Sequence, residues 1–150
     1  MKNTLIAIGA AIVLLIGASM WSKSLQLNDT SAVSTNGLHW HPTLEIFVKG
    51  EQKAIPVNIG IGTQYAGLPT FDPSMGMTAI HTHTSDGIIH LEFNGHVTKD
   101  DIELGNFFRI WGKELSSFGP SVHMTVNGTA SSELENYEMK DGDAIVLRYE

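Results

Sequence analysis

The stretch Thr78-Ala79-Ile80-His81-Thr82-His83-Thr84-Ser85-Asp86-Gly87-Ile88-Ile89-His90-Leu91-Glu92-Phe93 decides how this chain is read. Successive side chains of an extended segment point to opposite faces, so residues i and i+2 share one face. Asp86-Gly87 is a strong signal for a tight turn between two antiparallel strands. Folding the stretch there sets His83 against His90 and His81 against Glu92, and a four-residue loop shifts the partners but keeps the same parity. His81, His83, His90 and Glu92 then share one face, while Ile80, Ile89, Leu91 and Phe93 share the other. The apolar set supports this register, because a one-residue slip would turn it toward solvent.

Working outward, Leu38–Val48 alternates in the same way. Leu38, Trp40, Leu44, Ile46 and Val48 fall on one face; His39, His41, Thr43 and Glu45 fall on the other, with Phe47 an apolar exception. That pattern predicts one half-buried strand carrying its histidines on the polar side. Lys49-Gly50-Glu51 supplies a turn, and Ile55, Val57, Ile59 and Ile61 predict a second strand, placed at an edge by Pro56. Gly62 to Met77, interrupted by Gly67, Pro69, Pro73 and Gly76, is a long loop of the kind that often carries function. Within it, Tyr65 to Asp72 is a candidate lid.

Thr98-Lys99-Asp100-Asp101 resembles a capping box with Asp in place of Glu. Leu104, Phe107, Phe108 and Trp111, extended by Leu115, make the stripe of an amphipathic helix, and Gly112 is placed to end it. Val122, Met124 and Val126 predict a strand before the turn Asn127-Gly128. Lys140-Asp141-Gly142-Asp143 is a further turn before a closing strand, Ala144 to Glu150. The expected fold is α+β, a largely antiparallel sheet with one amphipathic helix.

At the amino terminus, residues 5–21 carry no charge and lie between Lys2 and Lys23. Their length approaches the ~20 residues a bilayer helix needs. Met20 and Trp21 directly follow the small residues Gly17-Ala18-Ser19, which makes a poor cleavage site, and Trp21 before Lys23 suits an interfacial anchor. A transmembrane anchor over 1–21 is therefore favoured over a cleaved signal. The polar, Ser/Thr/Asn-rich residues 22–37 read as a tether. Residues 38–150 form the expected histidine-rich domain, outside the cytoplasm.

Seven histidines and no cysteine restrict the metal chemistry available. Histidine, carboxylate and methionine remain as ligands, and neutral imidazole is the commonest protein ligand for zinc and copper. The candidate metal ligands are His39, His41, His81, His83, His90 and Glu92. Three histidines with a carboxylate or water suit zinc, and an all-histidine set suits copper equally. The plainer alternative is a solvated sheet face carrying unconnected histidines. Met75 and Met77 read as core fillers rather than soft ligands. His96 reads as a solvent-facing turn residue, His123 as pointing away from the core, and Trp40 and Trp111 as core. A net charge of −7 leaves no basic stripe for nucleic acid.

The chain also resembles a group of uncharacterised, membrane-anchored prokaryotic proteins. His39-Trp40-His41-Pro42, Ile80-His81-Thr82-His83 with Gly87-Ile88-Ile89-His90, Leu104-Gly105-Asn106-Phe107-Phe108-Arg109-Ile110-Trp111-Gly112 and the Asp141-Gly142-Asp143 strand carry that resemblance. It implies the layout and no reaction. Tyr137 to Leu147 is similar to the last turn and strand of β-grasp domains; the terminal Gly-Gly of β-grasp sulfur carriers is missing, so carrier chemistry is not implied. His39-Trp40-His41 looks like one H-x-H motif of multicopper oxidases, which need four such motifs and a cysteine. His81-Thr82-His83 looks like the start of the first cupin motif, but Gly87 and Ile88 stand where its Glu belongs. The expectation is a membrane-tethered protein that handles copper or zinc. The alternatives are a metal-dependent enzyme using Glu92, Glu45 or Asp86 as base, and an envelope interaction module whose partner is another envelope protein.

Overall fold

A computed structural model describes the backbone of residues 2–27 and 31–150, and the side chains of residues 11–23 and 31–150. It contains helix α1, Lys2–Leu27, and a separate compact unit, Ala32–Glu150. Among the described residues no helix is long and apolar enough to cross a membrane. The span expected over residues 5–21 is only partly covered by described side chains.

The compact unit is α+β, and its sheets are mostly antiparallel, as expected. It starts at Ala32, ahead of the boundary expected at Leu38, because strand β1 (Ala32–Ser34) pairs with β9 (Val97–Thr98). Its centre is a five-stranded sheet built from β3 (Thr43–Val48), β4 (Glu51–Lys53), β10 (Val122–Val126), β11 (Thr129–Ser131) and β12 (Ala144–Tyr149). The spatial order is β11-β10-β12-β3-β4. β12 runs parallel to β3, and every other pairing in the sheet is antiparallel. The register sets Ile145 beside Leu44 and Leu147 beside Ile46, four side chains buried in the core.

Helix α2 (Leu104–Trp111) contributes Leu104, Phe107 and Phe108 to the same core, and Gly112 ends it in the left-handed region at φ 72°. The helix is shorter than its apolar stripe suggested. The Asp101 carboxylate accepts the Thr98 N–H at 2.8 Å, one half of the expected capping box. The turn it opens is a 3-10 turn, Asp100–Ile102, and extended Glu103 (ψ 140°) separates that turn from α2. Leu115 is buried from a later 3-10 turn, Leu115–Phe118.

Two expected strands are not formed as predicted. Leu38–Val48 is split at His41-Pro42 into β2 (Leu38–Trp40) and β3, which enter different sheets. Proline has no N–H for a ladder and restricts the residue before it, so the chain changes sheet there. Ile55–Ile61 is not a strand at all. Asn58 and Gly60 take positive φ values of 61° and 78°, and the segment turns beneath residue 82 instead. Ile55 and Ile59 still reach the core, whereas Val57 is exposed.

A second sheet holds β2, β8 (His90–Phe93) and β7 (Ile80–His81) in the order β2-β8-β7. Two short strands, β5 (Phe71–Asp72) and β6 (Met77–Thr78), pair beside it within the expected long loop. Ile80, Ile89 and Leu91 are wholly buried. At about 1.5–3 kcal/mol each, their burial is worth as much as a large part of a domain's net stability. That is why the histidine face cannot change places with the apolar one.

Candidate metal centre

The hairpin β7–β8 keeps the predicted parity, and its partners are those of the four-residue alternative rather than of the two-residue turn. His81 lies opposite His90, and Ile80 opposite Leu91. Asp86-Gly87 does not close a two-residue turn, because the wide loop between the strands docks on β3. The Leu44 N–H donates to the Gly87 carbonyl at 2.8 Å, and Thr43 bridges Ile88. Gly87 has φ 85°, and a Cβ there would strike the Leu44 carbonyl oxygen. Asp86 instead accepts the Thr84 hydroxyl at 2.7 Å and the Ile88 N–H at 3.1 Å. These two bonds, with His90 nearby, hold its carboxyl below the usual range.

Strand β2 then pairs with β8, setting His39 opposite Glu92 and Trp40 opposite Leu91. Both H-x-H pairs therefore flank His90. Ring centroids lie 4.8 Å apart for His41 and His90, 4.7 Å for His83 and His90, and 5.3 Å for the stacked pair His81 and His90. Donor nitrogens gather in two triples, His39/His41/His90 and His81/His83/His90, with all distances inside each triple under 4.8 Å. Five of the six expected ligands are brought together. Glu92 joins neither triple: it lies one i+2 step beyond His90 on β8, about 6.7 Å along a strand. It lies near enough for its charge to favour protonated His81.

His81 is wholly buried, not solvated as a polar sheet face suggests. Its Nδ1 donates to the Thr78 carbonyl at 2.9 Å. A carbonyl only accepts, so the proton sits on Nδ1 and Nε2 keeps its lone pair. That Nε2 lies 3.2 Å from Nε2 of His83. Two nitrogens bound to one tetrahedral zinc at ~2.05 Å would be about 3.3 Å apart. Between the two histidines, buried Thr82 points the other way. Its hydroxyl donates to the Pro56 carbonyl at 2.9 Å and accepts the Ile59 N–H at 3.1 Å. The displaced Ile55–Ile61 segment thus fastens the H-x-H pair from behind. Gly60 completes the fastening, since a Cβ there would meet Thr78, Ile80 and His81.

Burial, followed by the charges of His81, His83, His41 and His39, depresses His90 to about 4. Burial likewise lowers His81. An unfolded histidine titrates near 6.5, so folding favours neutral His90. The associated stability is present above pH ~6.5 and is lost as pH falls through about 4. In the metal-free protein the His90 ring resonances should therefore titrate near pH 4; a midpoint near 6.5 would contradict the packing described. Among the described residues, Glu92, Asp86 and Asp141 are carboxylates that lie near this cluster.

The expected lid forms a wall. Residues 69–73 line a cavity of about 390 Å³ that reaches His81 and Glu92, and the Ala79 N–H ties the wall down by donating to the Thr70 carbonyl at 3.0 Å. Met75 and Met77 are half-buried along this cavity rather than in the core, because β5–β6 is an outlying pair. His96 lines the same cavity. His123 lies in the five-stranded sheet, exposed and 4.0 Å from Glu150. Glu45 is exposed on β3. Trp40 and Trp111 pack on the core, as expected.

Sequence reasoning missed two residues. Asp141 accepts the His41 N–H at 2.8 Å across a separation of 100 residues, a contact that no local pattern marks. Thr78 acts through its carbonyl, which a sequence does not distinguish from any other. No known protein family matches the sequence, and no curated protein or solved structure is detectably similar to it. The chain is thus defined by its own architecture, a mixed five-stranded sheet with a histidine-bearing hairpin inserted before its helix.

Proposed function

We propose that this is a transition-metal-binding protein, taking copper or zinc at His81, His83 and His90, and that its role is to handle the ion by delivery, sequestration or sensing. One observation carries the reading: His81 is buried with its proton committed to the Thr78 carbonyl, and its free Nε2 is aimed at the Nε2 of His83. Metal-ligating histidines commonly give their second N–H to such an acceptor. Glu92 adds a nearby negative charge that favours a cation. α1 exposes Ile12, Val13, Leu14, Leu15, Ile16 and Trp21, which suits a membrane anchor. The five-stranded sheet supports a β-grasp-like reading, because its first and last strands lie side by side and parallel at the centre. A second reading, a metal-dependent enzyme, is favoured by the cavity beside His81, where Glu92 is the candidate base.

Calorimetric titration of the full chain in detergent with Zn²⁺ and Cu²⁺ tests the proposal. Free ion at 100 times the dissociation constant should stabilise the fold by ~2.7 kcal/mol, roughly 8–10 °C in Tm. His83 is exposed, so His83→Ala should keep the fold while weakening binding by more than about 10-fold. No heat with either ion, or equal affinity in His83→Ala, would refute the assignment.

A further inference from the structure

The donors of all five histidines do not form one group. They form two triples whose only common member is His90. Two nitrogens on a single ion are at most ~4.2 Å apart at ordinary zinc–nitrogen lengths, so one ion does not take both triples at once. The triples also differ in exposure. His39 and His41 face solvent, whereas the other triple contains wholly buried His81. Neither contains a carboxylate that would offset the charge of a second divalent ion. Neutral His90 keeps one ring proton and offers one lone pair, so it serves one triple at a time.

The geometry points to an outer metal position, formed by His39, His41 and His90, through which an ion is captured before it passes to the inner position at His81, His83 and His90. This inference rests on the metal-binding reading above. His90 is the hand-over ligand: the ion keeps its bond to one imidazole while the other two ligands are exchanged. No proton is lost from His90, and only one ion is held. The Asp141 carboxylate holds the backbone of His41 by its N–H and lies 3.9 Å from His41 Nδ1, which positions the outer pair.

Stopped-flow transfer of Zn²⁺ from a chromophoric chelator to the full chain in detergent tests this, with the end point giving stoichiometry. The wild type should take up one ion. A variant carrying both His39→Ala and His41→Ala should still hold one ion, with affinity within about threefold, because a sparsely occupied outer state adds little to overall binding. It should load about tenfold more slowly, inside the 1–3 decades over which association rates vary among variants of one site. Release should slow by the same factor, since an intermediate position lowers the barrier in both directions. His41→Ala alone should slow loading partly, and serves if the double variant does not fold. Two ions in the wild type, or unchanged loading in the variants, would overturn the relay while leaving the inner site standing. No uptake by the wild type would instead remove the metal-binding reading itself.

Discussion

Replacing Asp143 by Ala should lower stability by roughly 3 kcal/mol, a fall of about 10 °C in Tm for a unit of this size. The Asp143 side chain is buried and accepts the Tyr137 hydroxyl at 2.7 Å, the Lys140 N–H at 2.8 Å and the Asn127 side-chain amide at 2.9 Å. Truncation removes three hydrogen bonds made to one buried carboxylate, each worth about 1 kcal/mol net, and leaves the half-buried Tyr137 hydroxyl without its acceptor. The Asp143 carbonyl also accepts the Thr43 N–H at 2.7 Å, next to the sheet change at Pro42. The damage therefore reaches the start of β3, next to the break that carries His41. Asp141→Ala, at an exposed position two residues away, is the control and should cost less than about 1 kcal/mol. Thermal denaturation of both variants decides the matter, and equal midpoints would show that Asp143 is not the fastening it is taken to be.

His90→Ala should have the largest effect on metal binding of any single change. It removes the one imidazole common to both triples, whereas His83→Ala and His39→Ala each leave one triple whole. The loss should exceed about 100-fold in Zn²⁺ affinity, beyond the ~10–100-fold typical of losing a supporting partner. Metal-dependent stabilisation should vanish with it. His90 is only half-buried, so the metal-free variant should keep its circular dichroism and unfold cooperatively. An affinity loss no greater than that of His39→Ala would show that His90 is not central.

The parity of the hairpin was readable because alternation is dictated by strand geometry alone, and Ile80, Ile89 and Leu91 leave one permissible face. The same holds for the stripe of α2 and for Gly112, whose φ of 72° suits glycine at a helix end. What escaped reading was set by distant contacts. Asp86-Gly87 carries the signal of a tight hairpin, yet Gly87 is bonded to Leu44, and the wider loop that docks there sets which histidines oppose one another. Alternation across Leu38–Val48 is genuine on both sides of Pro42, but alternation cannot say that two halves belong to different sheets. Ile55 and Ile59 mimic a strand because two buried side chains spaced by four also suit a turn that folds inward at Asn58 and Gly60. Alternation puts His81 on the correct face, while its burial depends on that turn and on the wall at residues 69–73.

X-ray absorption spectroscopy of the zinc- or copper-loaded full chain would read the coordination at His81, His83 and His90 itself. The first shell should contain three nitrogen ligands at about 2.0 Å with the outer-shell scattering of imidazole rings. This signature should collapse in His90→Ala. A loaded protein whose first shell is oxygen, or whose imidazole scattering is unchanged when His90 is removed, would contradict metal binding at these histidines.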